Sequence, residues 1–208
     1  MSNDYVYKAI EIYDKNAKEY AQKTAHIPPE ERGEFPNLVK PGGKILDAGC
    51  GPGRDCAYFL EKGFQVVGVD LSEKLLEISR KKAPRATFHK QDLRSLKFPH
   101  NSFDAIWACA SLVHLKRFEV PKVLHDFYSS LKPGGVLFIL LKEGKGEADV
   151  IDDLSSDSAR HFTYFEQNEL KQILLKEQFD VRNIYTYSEK DRKLEGRDVT
   201  WVSAFCYK

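Results

Sequence analysis

The chain lacks the marks of a metal-bound, disulfide-stapled, membrane-spanning or nucleic-acid-binding protein. Its four cysteines, Cys50, Cys56, Cys109 and Cys206, form no C-x-x-C pair, so neither a disulfide framework nor a zinc cluster can be read from them. Three of them fall on strand or helix patterns, where a reduced thiol packs as a small apolar group. The six histidines are scattered and make no H-x-x-x-H face, and no metal site is expected. A net charge of +1 offers phosphate no basic footprint, which sets DNA aside and leaves RNA only as an alternative partner. The apolar run Val136 to Leu141 is far too short to span a bilayer, and Met1-Ser-Asn-Asp begins no basic-then-apolar leader. The expectation is a cytoplasmic protein away from membranes. No internal repeat or low-complexity tract appears.

What is present is an alternation of strand and helix. The 208 residues, 42% hydrophobic, suffice for one full core, and that length argues for one domain over 1–208. Val6, Ala9, Ile10, Tyr13, Ala17, Tyr20 and Ala21 recur at helical spacing, predicting an amphipathic helix over about 4–22. A polar, proline-bearing stretch follows to Pro41. Buried strands are read at Lys44 to Ala48 and Val66 to Asp70, with helices at Arg54 to Lys62 and from near Ser72 to before Pro84. Val120 to Leu131 carries another apolar helical face, stopped by Lys132-Pro-Gly-Gly. Such punctuation implies a mostly parallel sheet covered on both faces. Asp180 to Ser188 and Val199 to Tyr207 are both β-rich and joined only by the polar segment Glu189 to Asp198, which suits a hairpin better than a helical crossover.

The densest signal is the loop between the first strand and its helix, Gly49-Cys-Gly-Pro-Gly53. Glycines at 49, 51 and 53 remove three Cβ atoms from one short turn, so a ligand can approach the backbone closely. A dinucleotide fingerprint would place a sixth-position glycine where this chain has Arg54, and a nicotinamide oxidoreductase is therefore the poorest fit among the enzyme readings.

Asp47-Ala-Gly-Cys-Gly-Pro-Gly53 resembles the first motif of the class I S-adenosylmethionine-dependent methyltransferases. Val66-Val-Gly-Val-Asp70-Leu-Ser, Thr87-Phe-His-Lys-Gln-Asp92-Leu93, Phe103-Asp-Ala-Ile-Trp-Ala-Cys109 and Leu131-Lys-Pro-Gly-Gly-Val-Leu-Phe-Ile-Leu-Leu141 follow in that family's order, so the resemblance runs from about 44 to 141. It implies a doubly wound Rossmann-like α/β sheet of seven strands, mostly parallel with an antiparallel last strand. It implies a core over 44–141 that binds S-adenosyl-L-methionine, preceded by a helix and cap segment (1–41). A substrate-side insertion (142–164) and a C-terminal helix with β-hairpin (165–208) follow. On the same ground Gly49, Gly51 and Gly53 would admit the methionine half of the cofactor. Asp70, with Leu71 after it, would hold the ribose, and Asp92 with Leu93 would face the adenine. Arg54, at the helix start, is a candidate for the cofactor carboxylate or a structural arginine. Tyr20 is a candidate to close over the cofactor, and Tyr13 over cofactor or substrate, against simple packing on the sheet edge.

The chemistry needs few catalytic side chains, because a sulfonium arrives already activated and the protein chiefly positions a nucleophile and removes a proton. His114, in Ser111-Leu-Val-His-Leu115 beyond the fourth strand, is the candidate general base, with a loop-anchoring histidine as the alternative. Arg160 and Tyr164, in Arg160-His-Phe-Thr-Tyr164 ahead of a helical run, are candidates for substrate contact, with helix capping and packing as the alternative. Family members that methylate base amino groups carry an acid or Asn followed by Pro-Pro-aromatic where this chain has Ala108-Cys-Ala-Ser111, and Cys109 lacks the adjacent proline of a pyrimidine nucleophile. The reading is methyl transfer to oxygen, nitrogen or sulfur of a small molecule. The alternatives are an RNA-modifying enzyme, tRNA included, and a cofactor-binding module that serves a partner without catalysis. Acceptor and oligomeric state are not encoded in any motif.

Overall fold

A computed structural model describes residues 5–151, 159–190 and 199–208. The first four residues, 152–158 of the insertion and 191–198 of the last polar link, all included in the segments above, lie outside the described residues.

Nine strands form the sheet: β1 (Lys44–Ala48), β2 (Gln65–Asp70), β3 (Thr87–Lys90), β4 (Phe103–Cys109), β5 (Leu131–Glu143), β6 (Glu147–Val150), β7 (Arg160–Phe165), β8 (Asp180–Ser188) and β9 (Thr200–Tyr207). The helices are α1 (Tyr5–Lys15), α2 (Ala17–Thr24), α3 (Glu31–Glu34), α4 (Arg54–Glu61), α5 (Glu73–Lys82), α6 (Val120–Ser130) and α7 (Gln167–Lys176). Strands β3, β2, β1, β4 and β5 pair in that order, all parallel. Strand β9 then pairs antiparallel with β5 on one side and β8 on the other, so it alone of these seven runs against the rest. The doubly wound sheet with an antiparallel last strand and a terminal hairpin is as the sequence implies.

Two expectations need correction. The sheet has nine strands and not seven, because the 142–164 insertion folds into the antiparallel pair β6–β7. Its attachment is the parallel pairing of Lys142 and Glu143 of β5 with Tyr164 and Phe165. Arg160 to Tyr164 is thus strand, and it leads directly into the helix at Gln167–Lys176 as expected. The single helix over 4–22 is also broken. Asn16 sits at φ −109°, ψ 16° between α1 and α2, and its side-chain amide donates to the Ile12 carbonyl at 3.0 Å. A short polar side chain that bonds its own backbone competes with helix continuation, and here it wins.

The central strands read as continuous apolar runs because both faces are covered. Trp107 of β4 and Phe138 of β5 stack at 4.0 Å between centroids, with Phe35 and Phe59 edge-on to the indole. The chain leaves β1 toward β2 and β3 and later returns to β4 and β5 on its other side. The crevice between β1 and β4 is therefore the point where strand order reverses, and ligands of such sheets bind there, beyond the carboxyl ends.

Candidate functional site

The turn after β1 uses its three glycines differently. All have positive φ, at +80°, +51° and +74° for Gly49, Gly51 and Gly53. A Cβ on Gly49 would lie 2.3 Å from the Cβ of Ser111, and one on Gly53 would meet the backbone and side chain of Ser79 at 3.0 Å. These two glycines let the loop press against the β4 exit and α5. Gly51 is different: its Cβ would meet only the Tyr20 ring, at 3.8 Å, and would project into open space in the crevice. Of the three it alone faces the open crevice.

Asp70 closes the loop from the next strand. Its Oδ2 accepts the Gly51 N–H at 2.8 Å and its Oδ1 the Ser72 N–H at 2.9 Å, while the Ser72 hydroxyl caps α5 by accepting the Leu75 N–H. The carboxylate also lines the first of the cavities described below, where it keeps acceptor capacity beyond these amides. Burial pushes the Asp70 carboxyl up, against the backbone amides of Ser72, Gly51 and Leu71 that favour its charge. Asp47, beneath the loop, is also raised, first by burial and then by the charge of Asp55, and its Oδ2 accepts the Cys56 thiol at 3.1 Å.

Two cavities meet over this loop. Gly49, Gly51, Asp70, Leu71, Asp92 and Leu93 line the first, roofed by Val6, Ile10 and Tyr13 of α1. The second lies toward the insertion and the last hairpin, among Glu30, Lys142, Arg160, Phe162, Glu189 and Trp201. Tyr13, Tyr20, Cys109, Ala110 and His114 line both, and so form the wall between them.

That wall holds a hydrogen-bonded chain. The His161 carbonyl can only accept, so the His114 ring donates to it from Nδ1, at 2.9 Å. Nε2 is then the lone pair, and it receives the Tyr13 hydroxyl at 2.8 Å. Arg160 donates from Nη1 to the same hydroxyl, and its guanidinium lies 4.8 Å from the Tyr13 ring centroid. The pairing of Tyr13 with His114, residues 101 positions apart, carries no sequence signal. The His114 ring is thus tied at both nitrogens, to the His161 carbonyl through Nδ1 and to the Tyr13 hydroxyl through Nε2.

Of the remaining sequence candidates, Tyr20 stacks edge-on to Tyr13 with centroids 4.9 Å apart. Asp92 lines the first cavity but is gripped by Arg94, whose Nη2 lies 2.6 Å from its Oδ2. Arg54 lines the second cavity and a small one beneath the loop, not the first. Its guanidinium donates to both Asp55 oxygens and to the carbonyls of Thr24 and Ile27, pinning α2 to the loop. Gly53 shapes the helix start and Tyr164 packs over Gly144, both away from the cavities. Sequence reasoning missed Asp14, which accepts from the Ser72 hydroxyl at 2.5 Å and the Lys74 N–H at 3.1 Å and so latches α1 to the start of α5. It also assigned nothing to Glu189, whose Oε1 receives the Trp201 indole N–H at 2.9 Å.

Comparison with known proteins adds an independent line. A family model described as a methyltransferase domain matches residues 45–135. The putative methyltransferase YqeM of Bacillus subtilis is 30% identical over 164 residues, 76% of this chain and 66% of that protein. Phosphoethanolamine N-methyltransferase 1 of Arabidopsis thaliana is 35% identical over 106 residues, 49% of this chain and 21% of that enzyme. The chain thus spans just under two thirds of the first relative and about a fifth of the second. Among solved structures, Burkholderia thailandensis 1,6-didemethyltoxoflavin-N1-methyltransferase, with bound 1,6-didemethyltoxoflavin and S-adenosylhomocysteine, aligns with a TM-score of 0.72 at 20% identity. The match covers 100% of this chain and 91% of that one, a likeness of fold.

Proposed function

This chain belongs to the class I S-adenosylmethionine-dependent methyltransferase family, and on that premise we propose that it methylates a nitrogen of a small molecule held in the second cavity. Bound S-adenosylmethionine supplies a methyl group already activated on a sulfonium. The residues present fit that cofactor: a glycine without a Cβ at 51, the half-buried Asp70 carboxylate with acceptor capacity left, and Asp92 and Leu93 at the far end of the same cavity. Asp70 and the loop amides would hold it, while Tyr13 and Tyr20 close it off from solvent.

The observation that carries the reading is the Tyr13–His114 pair in the wall between the cavities. An ammonium has no lone pair until it gives up its proton. An acceptor in the second cavity can pass that proton to the Tyr13 oxygen as the Tyr13 proton moves to His114 Nε2. Nδ1, fixed on a carbonyl, keeps Nε2 aimed. Both relatives named above as N-methyltransferases are named for nitrogen chemistry, which supports an amine or ring nitrogen as acceptor. The second cavity supports a small polar one, because acids (Glu30, Glu189), cations (Lys142, Arg160) and the Trp201 ring face it together.

Calorimetry tests the cofactor half. S-adenosylhomocysteine should bind and NAD should not, and Asp70→Ala should lose roughly 2 to 4 kcal/mol of that affinity because a charged hydrogen-bond acceptor is removed. Tight NAD binding with none for S-adenosylhomocysteine would overturn the reading. A panel of small amines with isotope-labelled S-adenosylmethionine tests the acceptor half. Transfer only to hydroxyl or thiol compounds would move the acceptor atom off nitrogen.

A further inference from the structure

β4 ends in an abrupt backbone event. Ala110 has φ +52°, a left-handed conformation that L-residues other than glycine, asparagine and aspartate seldom adopt. Its N–H is still tied to the Leu140 carbonyl at 3.0 Å, so the strain is imposed after the last rung of the ladder. The turn drives Ser111 under the glycine loop, where its Cβ fills the space a side chain at Gly49 would need. The loop lacks a Cβ at 49, and β4 carries a strained alanine at 110, for the same outcome: Ser111 stands against the floor of the first cavity. There its hydroxyl oxygen is buried and has no hydrogen-bond partner among the described residues. Ser111 lines the first cavity and not the second.

A buried hydroxyl without a partner destabilises a fold, and backbone strain is rarely maintained to produce one. From these three observations we infer that Ser111 is a cofactor-positioning residue, whose hydroxyl makes a hydrogen bond to a polar group of S-adenosylmethionine in the first cavity. This inference rests on the cofactor assignment above and extends it to a residue that the family-like motifs leave unassigned. No described protein group meets this hydroxyl, which leaves its hydrogen bond to the cofactor.

The sign of two measurements on Ser111→Ala separates this from a structural role. A serine that stabilises the turn would lower the melting temperature of the ligand-free protein when removed. A serine reserved for the ligand does the reverse: deleting the unsatisfied hydroxyl should raise that melting temperature by about 1 to 4 °C. The dissociation constant for S-adenosylhomocysteine, by calorimetry, should rise about fivefold to tenfold. Affinity unchanged in the variant while the wild type binds would overturn the role of Ser111 and leave the cofactor assignment intact. No binding by the wild type would overturn both. A lower melting temperature with unchanged affinity would make Ser111 a turn residue.

Discussion

At the amino ends of the parallel strands, Asp104 of β4 accepts the Lys44 N–H at 2.8 Å and the ammonium groups of Lys40 and Lys132 at 2.9 Å, so β1, β4 and β5 are cross-tied by one carboxylate. At the carboxyl ends, the buried Asp47 and the half-buried Asp70 have their carboxyls pushed up, Ala110 is in a left-handed conformation and the Ser111 hydroxyl has no partner among the described residues. The same sheet thus pairs the Asp104 carboxylate at one end and leaves carboxyls resistant to charge, a strained residue and an unmet hydroxyl at the other. The contrast supports the proposed ligand position: an end that serves only the fold can be fully satisfied, whereas one that must bind something keeps part of its hydrogen bonding in reserve.

The largest break in that contrast should come from Gly51→Val. A branched side chain would fill the space that the loop leaves open, and S-adenosylhomocysteine binding should fall by at least about a hundredfold. No backbone or tightly packed neighbour stands in the way, but φ +51° strains any L side chain here, so Gly51→Ala, which carries that backbone strain with only a methyl group, is the control for loop distortion. Calorimetry with circular dichroism as the folding control decides it. Full binding by the folded variant would move the ligand elsewhere.

How much of this end could be read beforehand depended on whether the signal was local. The loop after β1, the acid ending β2 with the Ser72 cap behind it, and the terminal hairpin all lie in short segments whose apolar runs, glycines and prolines specify them nearly alone. The β6–β7 pair escaped because Glu147–Val150 shows little apolar alternation and gains its place from the extended end of β5. The break at Asn16 escaped because no glycine or proline marks it, and the apolar periodicity continues across it. Most of the candidate residues, Gly53 and Tyr164 excepted, line the cavities, but how they join was not legible. Tyr13 and His114 were separate candidates whose partnership appears only when α1 is laid across the crevice, and Ser111 is informative only because something is missing around it.

The second test addresses the wall between the cavities. Tyr13→Phe keeps the ring and removes the hydroxyl, and His114→Ala removes the proton's destination. Each should lower kcat by roughly 10²-fold to 10⁴-fold while leaving S-adenosylhomocysteine affinity within about threefold of wild type. Because one proton route runs through both, the double variant should be about as slow as the slower single one. Losses that multiply would show two independent roles, and a fall in melting temperature for His114→Ala with unchanged turnover would reduce the ring to an anchor through its Nδ1.

The smallest effect, and the one that isolates the satisfied end, is an acid titration of stability. Asp104 is held down at about 2 in the fold: burial opposes its charge, but the Lys44 amide and the Lys40 and Lys132 ammonium groups outweigh it. An aspartate in the unfolded chain titrates near 3.9, so the folded state favours the charged form. That stability is fully present above about pH 4 and is lost as the pH falls from there toward 2. Its size is about 1 to 2 kcal/mol once screening of the exposed Lys40 side chain is allowed for. Asp70 has the opposite sign. Its raised carboxyl weighs against the ligand-free fold at neutral pH, and that burden lifts as the pH drops through the folded value. Urea midpoints for wild type and Asp104→Asn should therefore differ at pH 7 by a gap that narrows below about pH 4 and closes only as the pH falls through about 2, with S-adenosylhomocysteine affinity at pH 7 the same in both. A constant gap across that range would mean that shape, not charge, ties the amino ends together. A loss of affinity in Asp104→Asn would mean that the two ends of the sheet are not independent.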